Sequence, residues 1–194
     1  MPKLYLVRHA KPVAGWGQDP GDPGLDDTGV AQAEAVTQEL GAKLAPLPLY
    51  TSPMRRCQET AAPLVRLWKQ PAHLFHALAE IPSPPLPIAA RHAWLTAAMQ
   101  GTWAELQAGA PPGSPDFLAW RRELLAALSG IRGDSVIFSH FIAINAVIGA
   151  VQASDALVSF RPDHASVTVV ETVGPKFRIV TLGREADTSV LTRG

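Results

Sequence analysis

Leu4, Tyr5, Leu6 and Val7 form an unbroken apolar run, and Arg8 and His9 follow at once. A short apolar run of this kind predicts a buried strand over residues 3–7. Its end in two polar side chains, costly to bury, needs an explanation. The next stretch, "KPVAGWGQDPGDPGL", is rich in glycine and proline and predicts a loop of the sort that forms sites. "DDTGVAQAEAVTQELGAKL" then predicts a helix. Val30, Ala33, Val36 or Thr37, Leu40 and Leu44 recur at helical spacing, and Asp26 or Asp27 caps the start.

"PLPLYTSP" predicts a short second strand, and residues 54–69 a helix that Pro63 either kinks or enters near its start. Residues 71–87 contain "EIPSPPLP", which excludes a regular helix or a central strand. Residues 88–108 have a helical pattern carrying Trp94, Met99 and Trp103. "SPDFLAWRRELLAALSG" is the clearest helix: Ser114 as cap, Pro115 in the first turn, Gly130 at the end, and Phe117, Trp120, Leu124 and Leu128 as the apolar stripe. "DSVIFSH" predicts a buried strand ending in a second histidine, "FIAINAVIGAV" an apolar helix, and "ASVTVVETVGPKFRIVTLG" a hairpin around "VGPK". The tail from Arg184 is expected to be loose.

Strands alternating with helices imply an α/β three-layer sandwich: a mostly parallel central sheet flanked by helices, closed by a C-terminal hairpin. The expected organisation is a single domain over residues 1–194, with a divergent insertion containing proline and tryptophan at about 71–120. In such sheets, sites gather beyond the carboxyl ends of strands. Arg8 and His9 end the first strand, Arg55 and Arg56 follow the second, and His140 ends a later one. Glu80 lies in the irregular stretch between them.

Composition narrows the partners. Lys+Arg and Asp+Glu both number 17, hydrophobic residues make up 47% and charged residues 18%. Bulk charge therefore gives no reason to expect nucleic acid or a membrane. A single cysteine, Cys57, excludes an internal disulfide and a cysteine-rich metal site. No apolar stretch has the length of a signal peptide or a membrane span, so the expected location is cytoplasmic.

The strand-end residues suit one chemistry. Arginine presents a forked, permanently charged donor set for phosphate oxygens. Histidine can carry a phosphoryl group, and glutamate can protonate a departing alkoxide. Together they would serve phosphoryl transfer without a metal or other cofactor. The chain has no P-loop, no G-x-S-x-G elbow and no H-E-x-x-H. A cysteine-dependent phosphatase would need an arginine six positions past the cysteine, where Pro63 stands.

"LVRHA", "LDDTGVAQA", "YTSPMRRCQETA" and "IFSHF" resemble, in order, the motifs of the histidine phosphatase superfamily. This is the superfamily of the phosphoglycerate mutases and histidine acid phosphatases. The resemblance is close over residues 3–62 and looser over 134–183, and the middle diverges. It implies that His9 is the nucleophile that becomes phosphohistidine, and that Arg8, Arg56 and His140 bind the phosphate. Glu80 then gives the proton; Asp19, Asp22 and Glu105 are weaker substitutes for it. The register places Arg56, not Arg55, at the phosphate, with Arg55 as a solvated neighbour.

Several departures accompany the resemblance. Where the family has glycine, an acidic residue and a hydroxyl residue after the histidine, this chain has Ala10, Lys11 and Pro12; Gly15 stands for its asparagine. Cys57, where the family often has alanine, is expected to be a small packed residue. Ser52 shapes a turn. Trp16 and Phe141 are candidates for the substrate wall, whereas Trp94 and Trp103 read as packing. His73, His76, His92 and His164 have no motif support and read as surface or structural.

The implied activity is metal-independent hydrolysis of a phosphate monoester. The implied partner is a small phosphorylated substrate or a phosphoprotein; the oligomeric state is unknown. Alternatives are a phosphoglycerate mutase-type phosphotransferase, a phosphohistidine-protein phosphatase and a non-catalytic phosphate-binding protein. The short, proline-rich middle favours a phosphatase over a mutase by analogy.

Overall fold

A computed structural model of the chain describes residues 1–14 and 21–186. Six strands form one sheet in the order β3-β2-β4-β1-β5-β6. They are β1 (Lys3–Arg8), β2 (Leu49–Thr51), β3 (Ala72–Leu74), β4 (Ser135–Ser139), β5 (Val167–Val173) and β6 (Lys176–Thr181). The first four run parallel, while β5 is antiparallel to β1 and to β6.

Side chains alternating along each strand split the core into two layers. Leu4, Leu6 and Ile137 pack with Trp103, Phe117, Leu124 and the apolar helix α6 (Phe141–Gln152). Val7, Val136 and Phe138 pack on the other side with α1 (Asp27–Lys43) and α2 (Arg55–Trp68), through Val36, Leu40 and Leu64. This is the expected helix–sheet–helix sandwich with its terminal hairpin. Gly174 supplies the positive φ of 60° in the hairpin turn.

Several local features depart from the sequence pattern. Val30 is 52% exposed, and Gly29 takes the inner position of α1 instead. Asp26 is the cap, accepting from the Gly29 amide at 2.7 Å. Pro63 lies in the middle of α2. The 88–108 stretch is two helices, α3 (Ile88–Ala98) and α4 (Trp103–Ala108), separated at Gly101. Thr102 and Glu105 form a reciprocal capping box that starts the second helix. Helix α5 (Phe117–Ser129) is capped by Asp116 rather than Ser114. Of the tail, residues 184–186 are tied down, since the Arg184 carbonyl accepts from the Asp163 amide at 2.8 Å and the Ala186 amide donates to the Arg161 carbonyl, and 187–194 lie outside the described residues. No helix among the described residues is long and apolar enough to cross a membrane.

Register positions the site. Arg8 pairs with Ser139 across β1 and β4, and the ladder continues with the His9 amide donating to the Ser139 carbonyl at 2.9 Å. His9 and His140 therefore leave neighbouring strands at the same edge. Thr51 pairs with Phe138, which brings Ser52 and the first turn of α2 to that edge too. The antiparallel β5 starts opposite Val7, so the residues that lead into it, 164–166, lie beside Arg8 and His9.

Candidate active site

His9 Nδ1 lies 2.8 Å from the Ala10 carbonyl. A carbonyl only accepts, so Nδ1 carries the proton and Nε2 keeps its lone pair. The His9 and His140 rings meet edge-on, with centroids 5.3 Å apart. Both rings are buried, and burial holds both well below the ordinary imidazole value. His140, Arg8 and Arg56 push His9 further down, and the two arginines do the same to His140.

Arg56 is 7% exposed, and its Nη2 lies 3.2 Å from His140 Nδ1. Its Nη1 is 3.7 Å from the Asp22 carboxylate. Arg55 points outward, 65% exposed at its side chain, and pairs with Glu59 at 2.6 Å. The two arginines thus separate, Arg56 turned inward and Arg55 outward. Arg8 Nη1 donates to the Pro162 carbonyl at 2.8 Å, and its guanidinium carbon lies 5.0 Å from the Phe141 ring centre. Its Nε is buried without a hydrogen-bond partner, a donor suited to an anionic oxygen. Burial lowers Arg8 to about 10, against the pull of Glu80 and Asp163.

Glu80 sits at the start of α6. Its two oxygens accept from the Ile81 amide at 3.0 Å and the Ile142 amide at 3.3 Å. Burial raises its proton affinity, while those amides, Arg56 and Arg8 oppose the rise. The structure thus brings Glu80 within electrostatic reach of both arginines. Glu105 is occupied in its capping box, with its carboxylate 2.8 Å from the Thr102 amide. Asp22 accepts from the Arg55 amide at 2.7 Å and so pins the end of the first loop to α2. Trp16 and Asp19 lie outside the described residues.

Two links hold the pieces together. Thr60 Oγ1 accepts from the Ala10 amide at 2.9 Å and donates to the Arg56 carbonyl at 2.6 Å, joining the segment after His9 to α2. Gly29 lets the Lys11 carbonyl approach α1: a Cβ at that glycine would stand 2.1 Å from the Lys11 oxygen.

Two further residues, Ser52 and His164, reach the site. Ser52 does more than shape a turn: its hydroxyl is 2.8 Å from His140 Nε2. His164 lies against the site, its ring centroid 5.4 Å from that of His9. Of the aromatics, Trp103 is fully buried and stacks on Trp120, and Trp94 packs on Phe117. Phe141 stays at the site, against Arg8. Cys57 is buried, its sulfur 3.4 Å from His140 Nε2, and burial pushes the thiol up. Among the described residues, no three histidine, cysteine or acidic side chains gather as metal ligands.

The arrangement offers cationic donors, a histidine with a fixed lone pair and a buried carboxyl group around one sheet edge. Known structures with this architecture are numerous. The Bacillus stearothermophilus protein YhfR superimposes with a TM-score of 0.76 at 22% identity, covering 96% of this chain and 98% of that one. A mycobacterial glucosyl-3-phosphoglycerate phosphatase gives 0.72 at 24% identity, covering 95% and 99%. The Entamoeba histolytica phosphoserine phosphatase, solved with 3-phosphoglyceric acid, gives 0.71 at 20%, covering 95% and 98%. No curated protein matches the chain. The description of the Histidine phosphatase superfamily (branch 1) matches residues 4–185, and the chain belongs to that family.

Proposed function

We propose that this protein is a metal-independent phosphatase that hydrolyses a small phosphate monoester through a phosphohistidine on His9. The observation that carries the reading is the His9 Nδ1–H to Ala10 carbonyl bond of 2.8 Å, which leaves Nε2 free to attack beside two arginines. Nε2 forms a bond to phosphorus as the bond to the leaving oxygen breaks. Arg8, Arg56 and His140 compensate the charge on the equatorial oxygens. Glu80, whose proton affinity burial raises, gives its proton to the leaving oxygen in its protonated form. Water then attacks phosphorus, the N–P bond breaks, and Glu80 recovers its proton from that water.

Similarity to phosphatases named for phosphoserine and for glucosyl-3-phosphoglycerate supports a small phosphorylated hydroxy compound over other phosphorylated ligands. Residues 71–120 hold Glu80 and the helices beside it, and are the part of the domain expected to select the substrate.

A panel of alkyl and aryl phosphates, tested on wild type, His9→Ala and Glu80→Gln, examines the reading. Turnover should vanish in His9→Ala. In Glu80→Gln it should fall most for alkyl esters, whose leaving groups need the proton. Undiminished alkyl phosphate turnover in Glu80→Gln would remove Glu80 from the acid role.

A further inference from the structure

We propose that His164 is a positioning residue, one that fixes the orientation of the Arg8 guanidinium for anion binding and ties it to the His9 main chain. The proposal rests on Arg8 being a phosphate ligand. His164 Nδ1 lies 3.0 Å from the His9 carbonyl, so Nδ1 must carry the proton. Nε2 is then bare, and Arg8 Nη2, which only donates, meets it at 3.3 Å. One imidazole in one tautomer thus holds both residues of the Arg8-His9 pair.

The neighbouring chain serves the same end. Two residues upstream, the Pro162 carbonyl takes Arg8 Nη1 at 2.8 Å. Immediately downstream, the Ala165 amide donates to the Arg8 carbonyl at 3.1 Å, with Ala165 at a φ of 52°. A non-glycine residue in the left-handed region is costly and persists where its surroundings demand it. Here it turns the chain so that the His164 ring lies beside β1. With Nη1 and Nη2 engaged and Phe141 over the guanidinium, Nε is the buried donor left unpaired. The charges of Arg8, Asp163 and Lys11 act on the ring, Asp26 is close enough to feel its charge, and the His9 carbonyl accepts from it. Burial and Arg8 hold it down at about 4, so it stays a neutral acceptor for Arg8 at neutral pH.

Amide replacements separate the two bonds. Asparagine places its amide near Nδ1 and can keep only the bond to His9; glutamine reaches Nε2 and can offer a carbonyl oxygen to Arg8. The test is calorimetric titration of inorganic phosphate into the full chain at neutral pH. A lost hydrogen bond to a charged group should weaken phosphate binding about tenfold in His164→Ala and His164→Asn, while His164→Gln stays within about threefold of wild type. If His164→Ala fails to fold, the Gln–Asn pair decides alone. Gln binding phosphate no tighter than Asn, or Ala binding it like wild type, overturns the proposal. A wild-type protein that shows this pattern yet hydrolyses no ester would refute the hydrolase reading and leave the positioning role standing.

Discussion

Ser52 Oγ and His140 Nε2 are 2.8 Å apart, and both side chains are wholly buried. Arg56 donates to the opposite nitrogen, Nδ1, so Nε2 carries the proton and Ser52 accepts it. A hydroxyl can equally donate. Ser52 can therefore support the other tautomer, in which His140 presents Nδ1–H to an anion lying between it and Arg56. Ser52→Ala leaves Nε2 buried without this partner, at a cost of about 1–3 kcal/mol. The expected result is a kcat lowered at least about tenfold, with a lower Tm, measured by steady-state kinetics and thermal unfolding.

Arg55 and Arg56 are adjacent in sequence and opposite in environment, one exposed beside Glu59 and one buried against His140. Arg56→Ala should reduce kcat/KM by about 10²–10³. Arg55→Ala removes only an exposed pair and should leave kcat/KM within about threefold. Comparable losses in the two variants would mean that the motif register is wrong.

The pH dependence of kcat/KM follows from opposite shifts. His9 sits well below 6.5, so its lone pair persists into mildly acidic solution and is lost only as pH falls through that lowered value. Glu80 is raised above 4.5, so its donating form is lost as pH rises through the raised value. The alkaline limb should disappear in Glu80→Gln, and an acid limb near 6.5 that does not move with the ester's own second ionisation, at about 6, would contradict the buried state of His9. Stability follows a related sign. Unfolded His164 takes a proton near 6.5, but folded His164 only near 4. Between these values the unfolded chain holds more protons, so stability falls as pH drops from 6.5 toward 4 and is intact above 6.5. Denaturant titrations at several pH values should show a shallower fall in His164→Gln.

Gly29 approaches the Lys11 carbonyl too closely for any side chain, whereas a Cβ at Gly133 meets nothing within 4 Å. Gly29→Ala should cost roughly 1–3 kcal/mol of stability and weaken phosphate binding by moving the loop after His9. Gly133→Ala should be close to neutral on both readouts. Denaturant unfolding and phosphate titration compare the pair.

Much of this was legible in the chain. The apolar runs at Leu4–Val7 and Val136–Phe138 predict strands, and polar residues at their ends predict where Arg8, His9 and His140 emerge. Two things were not legible. His164 enters the site from the start of a strand, not its end. An antiparallel strand presents its beginning at the edge where parallel strands finish, so a search of strand ends passes over it. That β5 runs antiparallel to β1 depends on long-range pairing, which no local pattern around "PDHASV" reveals. Ser52 was missed for a similar reason: its partner, His140, is 88 positions away, joined through the β2–β4 register. The break in 88–108 was, by contrast, written locally, as Thr102 followed by Glu105 after Gly101.

Hydrolysis through His9 requires a covalent phosphoryl group on its Nε2. Rapid acid-free quenching of the full chain during turnover of a phosphorus-labelled ester, followed by peptide mapping, tests it most directly. The label should be stable to base, lost in acid, located on His9 and absent in His9→Ala. Turnover that proceeds in His9→Ala, or a label found on another residue, would contradict it.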